Sequence, residues 1–375
     1  MSKLNWNQIE NAPHVIIYGA KYLASLVFTC LTEGQRRIPV DCYAVTDASK
    51  NVDQIGATPV FQIEDIHLPK EDTFVFVAAN FKKKVQDEIV AHLLELGYRE
   101  QNILVVTWPV QDELRKNYIL EEFRRNHRTY HTIEALKPEN TYDYKDRLKV
   151  YMAKCHLDKK VDHPYELPDW IERIQVGTEL TDFNMGFLAD NMGENISAYN
   201  ADFCELTATY WIWKHSQYPY VGLCHYRRPF NLTDQNIRSF IASDMDVLLT
   251  TPGVILPAAS YHYARFAPAE DVGLLRDILG RRQPEYLRAM DALFQRRLFY
   301  HYNMLIAKKK VFDTFCEWLF PILFEMYHYY LDRGIERKNR YIGYVAENLT
   351  SVYFLKNADS LKIVHADILY LNDIC

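Results

Sequence analysis

The sequence predicts an α/β protein of two units, the first a Rossmann-like parallel sheet and the second a separate α/β domain. Three observations predict it. Short β-rich runs alternate with amphipathic stretches from residue 14 to about residue 107, the pattern of parallel strands joined by right-handed crossover helices. The alternation loosens over residues 108–147 and restarts with a strand at Leu148. The 375 residues, 49% hydrophobic and 25% charged, are enough for two cores of ordinary size.

Residues 14–18 form the first expected strand, ending at Gly19, after which Tyr22, Leu23, Leu26, Val27 and Cys30 recur at helical spacing. A second strand over 40–45 leads to Asp47. A strand over 73–78, a helix over 85–96 and a strand over 103–106 complete the domain assigned to residues 1–107. A dinucleotide site wants Gly-x-Gly-x-x-Gly in the first turn, whereas the chain has Gly19-Ala20-Lys21-Tyr22-Leu23-Ala24. Without the second glycine a pyrophosphate meets a side chain, although Asp47 stands where a ribose contact is made. A structural, regulatory or nonstandard-ligand role therefore ranks above NAD redox chemistry. Residues 108–147, one charged helix and a polar tail with a proline, are assigned as a helical linker.

The second domain, residues 148–375, opens with a strand over 148–153 that delivers Lys154, Cys155 and His156 to its carboxyl end. Residues 182–197 are rich in Asn, Asp and Gly, which build turns by bonding their own backbone. Asp202 and Glu205 have the spacing of a capping box, and Phe203, Leu206, Tyr210 and Trp213 then mark one apolar helix face. Tyr218 and Pro219 break that helix. The strand over 220–226 empties into His225, Tyr226, Arg227 and Arg228. Ligands of open α/β sheets bind beyond the carboxyl ends of the strands, and arginine matches phosphate oxygens bidentately, so this is where an anionic ligand is expected.

Farther on, Asp271 opens a helix as either its cap or a functional carboxylate, the cap being favoured. Residues 301–306 read as a strand carrying Asn303. In a helix over 340–356, Ile342, Val345, Leu349 and Val352 form a buried stripe, while Arg340, Tyr344 and Glu347 share another face. A polar stripe is usually solvated, but Gly343 beside it leaves room for close approach.

Composition limits the function. A net charge of −6 without a basic stripe argues against nucleic acid. Seven cysteines without a Cys-x-x-Cys pair and thirteen histidines without His-x-His or His-Glu-x-x-His spacing give no metal signature, and suit reduced thiols in a cytoplasmic protein. The first thirteen residues lack the apolar core of a signal peptide. Residues 311–331 are hydrophobic but contain Asp313, Glu317, Pro321 and Glu325, which suits an amphipathic core helix better than a bilayer span. A peripheral contact at the inner face of a membrane is the weaker alternative.

The doublet NIS-x-x-N-x-x-x-x-ELT-x-x-YWIWK and YVGLCHYRRPF resembles the signature of a bacterial family of capsular and exopolysaccharide-synthesis glycosyltransferases formerly known only as a domain of unknown function. The resemblance covers about residues 148–370. The first unit resembles the small Rossmann-like domains at the front of sugar-modifying acyltransferases. The family resemblance implies a GT-A-like domain that moves a hexose from a nucleoside-diphosphate sugar, UDP-linked before others, to a saccharide acceptor that is free or lipid-linked. In such a fold Lys154, Asn195, Ser197, Asn200, His225, Tyr226, Arg227 and Arg228 are the expected donor contacts. His262, Asn303, Arg340 and Tyr344 are the expected sugar or acceptor contacts, and Glu347, then Asp271, the expected catalytic carboxylate. GT-A enzymes commonly hold a divalent ion with Asp-x-Asp after an apolar strand. Asp244-Met245-Asp246 precedes its strand instead and is set aside, so no metal residue is assigned. A metal held by His225 and a distant carboxylate stays open. The alternative function is a nucleotide-sugar-binding or scaffold protein without turnover.

Overall fold

A computed structural model describes residues 4–79, 82–163, 165–265, 267–337 and 340–371. The chain divides into two compact units, Met1–Tyr130 and His131–Ile374.

The first unit runs α1 (Trp6–Glu10), β1 (His14–Tyr18), α2 (Tyr22–Thr32), β2 (Cys42–Val45), β3 (Gln54–Ile55), β4 (Thr58–Gln62), β5 (Thr73–Val77), α3 (Lys83–Glu95), β6 (Ile103–Val105) and α4 (Trp108–Arg125). Its six strands lie in the order β3-β4-β2-β1-β5-β6, parallel except for the β3–β4 pair. This is the Rossmann-like arrangement expected. Gly19 has φ +129°, and a Cβ there would stand 2.6 Å from the Ala78 carbonyl oxygen, so this turn requires glycine. Asp47 is engaged locally: it accepts the Ser49 N–H at 3.1 Å and pairs with Lys50 at 2.7 Å.

The stretch expected as a linker is divided between the units. Helix α4 belongs to the first, where the Asn117 amide donates to the Cys30 carbonyl (2.8 Å) and Asn117 Oδ1 accepts the Arg36 N–H (3.2 Å). Glu121 on the same helix gathers Arg124, Arg37 and Arg125, and their hydrogen bonds and charge hold its carboxyl down at about 2.

The second unit contains β7 (Leu148–Lys154), β8 (Ile171–Gln175), β9 (Leu188–Ala189), α5 (Asn200–Phe203), α6 (Leu206–His215), β10 (Tyr220–His225), α7 (Asp234–Ala242), β11 (Val247–Thr250), β12 (Gly253–Val254), α8 (Ala259–Ala264), α9 (Ala269–Arg282), α10 (Pro284–Gln295), β13 (Leu298–Phe299), β14 (Leu305–Lys308), α11 (Lys309–Leu331), α12 (Tyr341–Asn357) and β15 (Ile363–Ala366). Seven strands form one sheet, β15-β11-β14-β10-β7-β8-β9, in which β14 alone runs antiparallel to its neighbours. Alternate residues feed two cores. Val221 and Leu223 face α6, α11 and α12, while Tyr220 and Cys224 face the opposite core with Phe240 of α7. The Ile342, Val345, Leu349 and Val352 stripe of α12 is fully buried. Among the described residues no helix is long and apolar enough to cross a membrane.

Gly222 lies in the centre of this sheet. A Cβ there would approach the Leu305 carbonyl oxygen to 2.6 Å and the Ile306 Cα to 3.0 Å across the β10–β14 pair. Backbone cannot yield as a side chain does, so Gly222→Ala is expected to cost about 1–3 kcal/mol. Gly273 of α9 has nothing within 4 Å of its Cβ position, and Gly273→Ala is expected to be neutral or stabilising by up to about 1 kcal/mol. Parallel urea titrations of the two variants check the contrast; equal stabilities would contradict it.

Two local expectations are corrected. Asp202 and Glu205 do not form a capping box: the chain breaks at Cys204 (φ 51°, ψ −130°) between α5 and α6, and Glu205 enters α6 without capping it. The strand expected over 301–306 begins only at Leu305, because Tyr302 (φ 76°) and Asn303 (φ 52°) are left-handed.

Candidate active site

The parallel strands β7 and β10 end side by side at Lys154 and His225. Because β14 is antiparallel, its entry brings Tyr302 and Asn303 to the same edge. The chain leaves β10 through a turn closed by the Arg228 N–H on the His225 carbonyl at 3.1 Å. The segment after β15 pins that turn, with the Leu371 N–H on Arg227 O (3.0 Å) and the Leu369 N–H on Pro229 O (2.8 Å). The Tyr226 ring lies between the cations of Lys154 (5.7 Å) and Arg227 (5.5 Å), and the Arg228 guanidinium lies 4.7 Å over Tyr302. Stacking on aromatic faces orients guanidiniums that would otherwise sample many rotamers. Asp244 and Asp246 stand at the opposite, amino edge, paired with Lys308 (2.6 and 2.9 Å), as the order of motif and strand implied.

Beneath the turn lie two carboxylates that were far apart in sequence. The Asn303 amide donates to Glu205 Oε1 at 2.8 Å and to the Gly343 carbonyl at 3.1 Å. His225 Nε2 stands 3.7 Å from the same Glu205 oxygen. Glu347 accepts the Tyr302 N–H through Oε1 (3.2 Å) and meets His262 Nε2 through Oε2 (3.3 Å). The side chains of Glu205 and Glu347 are 10% and 13% exposed, too enclosed for a solvated helix face. The backbone is strained around them. Seven non-glycine residues have positive φ among the described residues, and Cys204, Tyr302, Asn303 and Arg340 of these all border the two carboxylates. Such strain costs about 1–3 kcal/mol per residue and concentrates where a site needs it. Here it aims the Tyr302 N–H and the Asn303 amide.

The electrostatics favour a neutral imidazole at the centre. Burial pushes the His225 pKa below its ordinary value, and Arg228 and Arg340 add to that, while Glu205 and Glu347 oppose it. Among the described residues His225 Nε2 is buried without a hydrogen-bond partner, so its polar capacity is unspent.

The structure brings together Lys154, His225, Tyr226, Arg227, Arg228, His262, Asn303, Arg340, Tyr344 and Glu347 at this edge or in the α12 turns beneath it. It leaves out four expected residues. Asn195 spends its amide on the Asn191 and Gly193 carbonyls (2.9 and 2.8 Å), Ser197 donates to Asp190 and accepts the Glu179 N–H, and Asn200 donates to Cys204 O (2.7 Å). All three hold their own loop. Asp271 is neither the cap of α9, which is Pro268, nor open to substrate. It is fully buried against Arg337 (2.8 Å) and the Tyr330 hydroxyl. Gly343 is not needed for close approach, since a Cβ there would meet Cys204 at an ordinary 3.6 Å. Sequence reading passed over Glu205, His301 and Tyr302 as site residues. Only the Asp-x-x-Glu spacing drew attention to Glu205, and it suggested a cap.

Residues 149–358, more than half of the chain, match the family described as "Domain of unknown function (DUF4422)". The chain belongs to this family. A solved structure of similar fold is the apo form of WbbM, described as a bifunctional glycosyltransferase, at TM-score 0.51 and 24% identity. The likeness covers 60% of this chain and 46% of that one, so the chain spans less than half the length of WbbM. No curated protein matches the chain. The DUF4422 match contains β10, its arginine turn, Glu205 and Glu347, so the assembled edge is part of the family's own domain.

Proposed function

We propose that this DUF4422 protein is a hexosyltransferase that moves a sugar from a nucleoside diphosphate, UDP before others, to a saccharide acceptor. The observation that supports this reading is the gathering of opposite charges at one sheet edge: Arg227 and Arg228 follow His225, whose Nε2 stands 3.7 Å from the enclosed Glu205, and Arg228 stacks on Tyr302, whose N–H holds Glu347. A diphosphate leaving group needs the first and an attacking hydroxyl needs the second.

Lys154, Arg227 and Arg228 take the phosphates, with His225 Nε2 as a neutral donor or acceptor. GT-A-like enzymes commonly use a divalent ion between the phosphates, whereas the group after β10 is an imidazole and two guanidiniums, and the guanidiniums can neutralise diphosphate charge themselves. Glu205 is the better base. Its Oε1 is fixed by Asn303, and among the described residues no hydrogen bond engages Oε2, whereas both Glu347 oxygens are held. Arg340 and Tyr344 border the sugar. A cytoplasmic place beside the membrane, where lipid-linked acceptors are extended, fits this role.

Calorimetry with UDP tests the clamp. Arg227→Ala and Arg228→Ala are each expected to weaken binding by about 1.5–3 kcal/mol, the range for a hydrogen bond to a charged group. Unchanged affinity in both variants would remove the clamp. Binding without donor hydrolysis or transfer by the purified protein would favour the scaffold alternative.

A further inference from the structure

We infer that His262, His301 and Glu347 form a binding site for one divalent transition-metal ion, separate from the phosphate clamp and independent of the transferase reading. One ligand atom from each residue lies within 4.8 Å of the others. Three separate elements supply them: His262 from α8, His301 from the exit of the β12–β13 ribbon, and Glu347 from α12. No spacing rule finds such a set.

The donor set has the right chemistry. Two imidazoles and one carboxylate suit zinc, cobalt or iron(II) and disfavour magnesium and calcium, which want oxygen. Three protein ligands leave a further position for water or substrate, as in open zinc sites. His262 Nε2 and Glu347 Oε2, at 3.3 Å, already have the spacing of two ligands on one tetrahedral ion, for which bonds of about 2.0–2.1 Å place neighbours roughly 3.4 Å apart. His301 has to close by up to about 1.4 Å, within reach of a side-chain rotation.

The surroundings hold the three groups ready. The Tyr302 N–H fixes the other Glu347 oxygen, the outer hydrogen bond that metal-binding carboxylates commonly have. The Phe299 ring packs on both imidazoles, with centroids 4.6 Å from His262 and 4.9 Å from His301. Gly253 makes room for His301: a Cβ there would meet its Nε2 at 2.4 Å. The side chains of His262 and Glu347 are 12% and 13% exposed, enclosed yet open to an ion.

The test is calorimetry with Zn²⁺ alone on the metal-free full chain, repeated with Co²⁺ and its visible absorption. One ion per chain is expected for the wild type, with a tetrahedral or five-coordinate cobalt spectrum. His262→Gln, His301→Gln and Glu347→Gln should each weaken binding at least tenfold and lose that spectrum, while Asp244→Asn, paired with Lys308 at the opposite edge of the sheet, keeps both. Thermal melts guard against misfolding, because a folded variant melts like the metal-free wild type and is no longer stabilised by Zn²⁺. No binding by the wild type, or equal binding by the wild type and all three ligand variants, would overturn the proposal. Neither result depends on donor or transfer, so failure here leaves the transferase reading standing, and the reverse holds.

Discussion

Glu205→Gln is expected to bind donor with wild-type affinity and to transfer sugar about a hundred to ten thousand times more slowly, the usual cost of losing a general base. The substitution keeps the shape and still accepts the Asn303 amide through Oε1, so the pair at 2.8 Å survives. What it removes is the charge that, in the proposed transfer, would take a proton from the acceptor hydroxyl. The effect should appear in kcat, with KM for donor unchanged, because the interaction is made only as the hydroxyl attacks. Steady-state kinetics on Glu205→Gln and Glu347→Gln rank the two carboxylates. Near wild-type turnover in Glu205→Gln with loss in Glu347→Gln would hand the role to Glu347, the residue that helix periodicity favours.

Arg337→Ala is expected to destabilise the second unit by about 3–5 kcal/mol, far more than a surface pair contributes. Asp271 is fully buried, and Arg337 grips it through two nitrogens, Nη2 at 2.8 Å and Nε at 3.2 Å. The Tyr330 hydroxyl donates to the same carboxylate, and the guanidinium lies 4.1 Å over the Tyr330 ring. Removing the arginine leaves a buried anion with one neutral donor, and its desolvation is no longer compensated. A urea titration reads the loss as a lower midpoint. A change below about 1 kcal/mol would mean that the pair behaves as a surface one, and would return Asp271 to the candidates for chemistry.

The parts of this protein legible in its sequence are those set by local pattern. The strand at His14–Tyr18 and the buried α12 stripe follow from residue type and period, and both are found as read. The placement of His225–Arg228 at a strand end follows from the break at Pro229. What the sequence hid was set by distant contacts. Glu205 has the spacing of a cap, but the left-handed Cys204 and the amide of Asn303, 98 residues away, turn it to the site instead. Tyr302 and Asn303 sit in an apolar run that reads as strand, and only their contacts with Glu347 and Glu205 explain the left-handed backbone. Asn195, Ser197 and Asn200 carry the groups that bind sugars, but the same groups close turns, and a turn is the nearer partner.

The most direct test of the transfer centre is a crystal structure of the chain with bound UDP-sugar. The diphosphate is expected on Arg227 and Arg228 at the end of β10, with the sugar turned toward Glu205 and Asn303. A nucleotide at the Gly19 turn of the first unit, or at the amino edge beside Lys308, with nothing on the arginine turn, would contradict this reading.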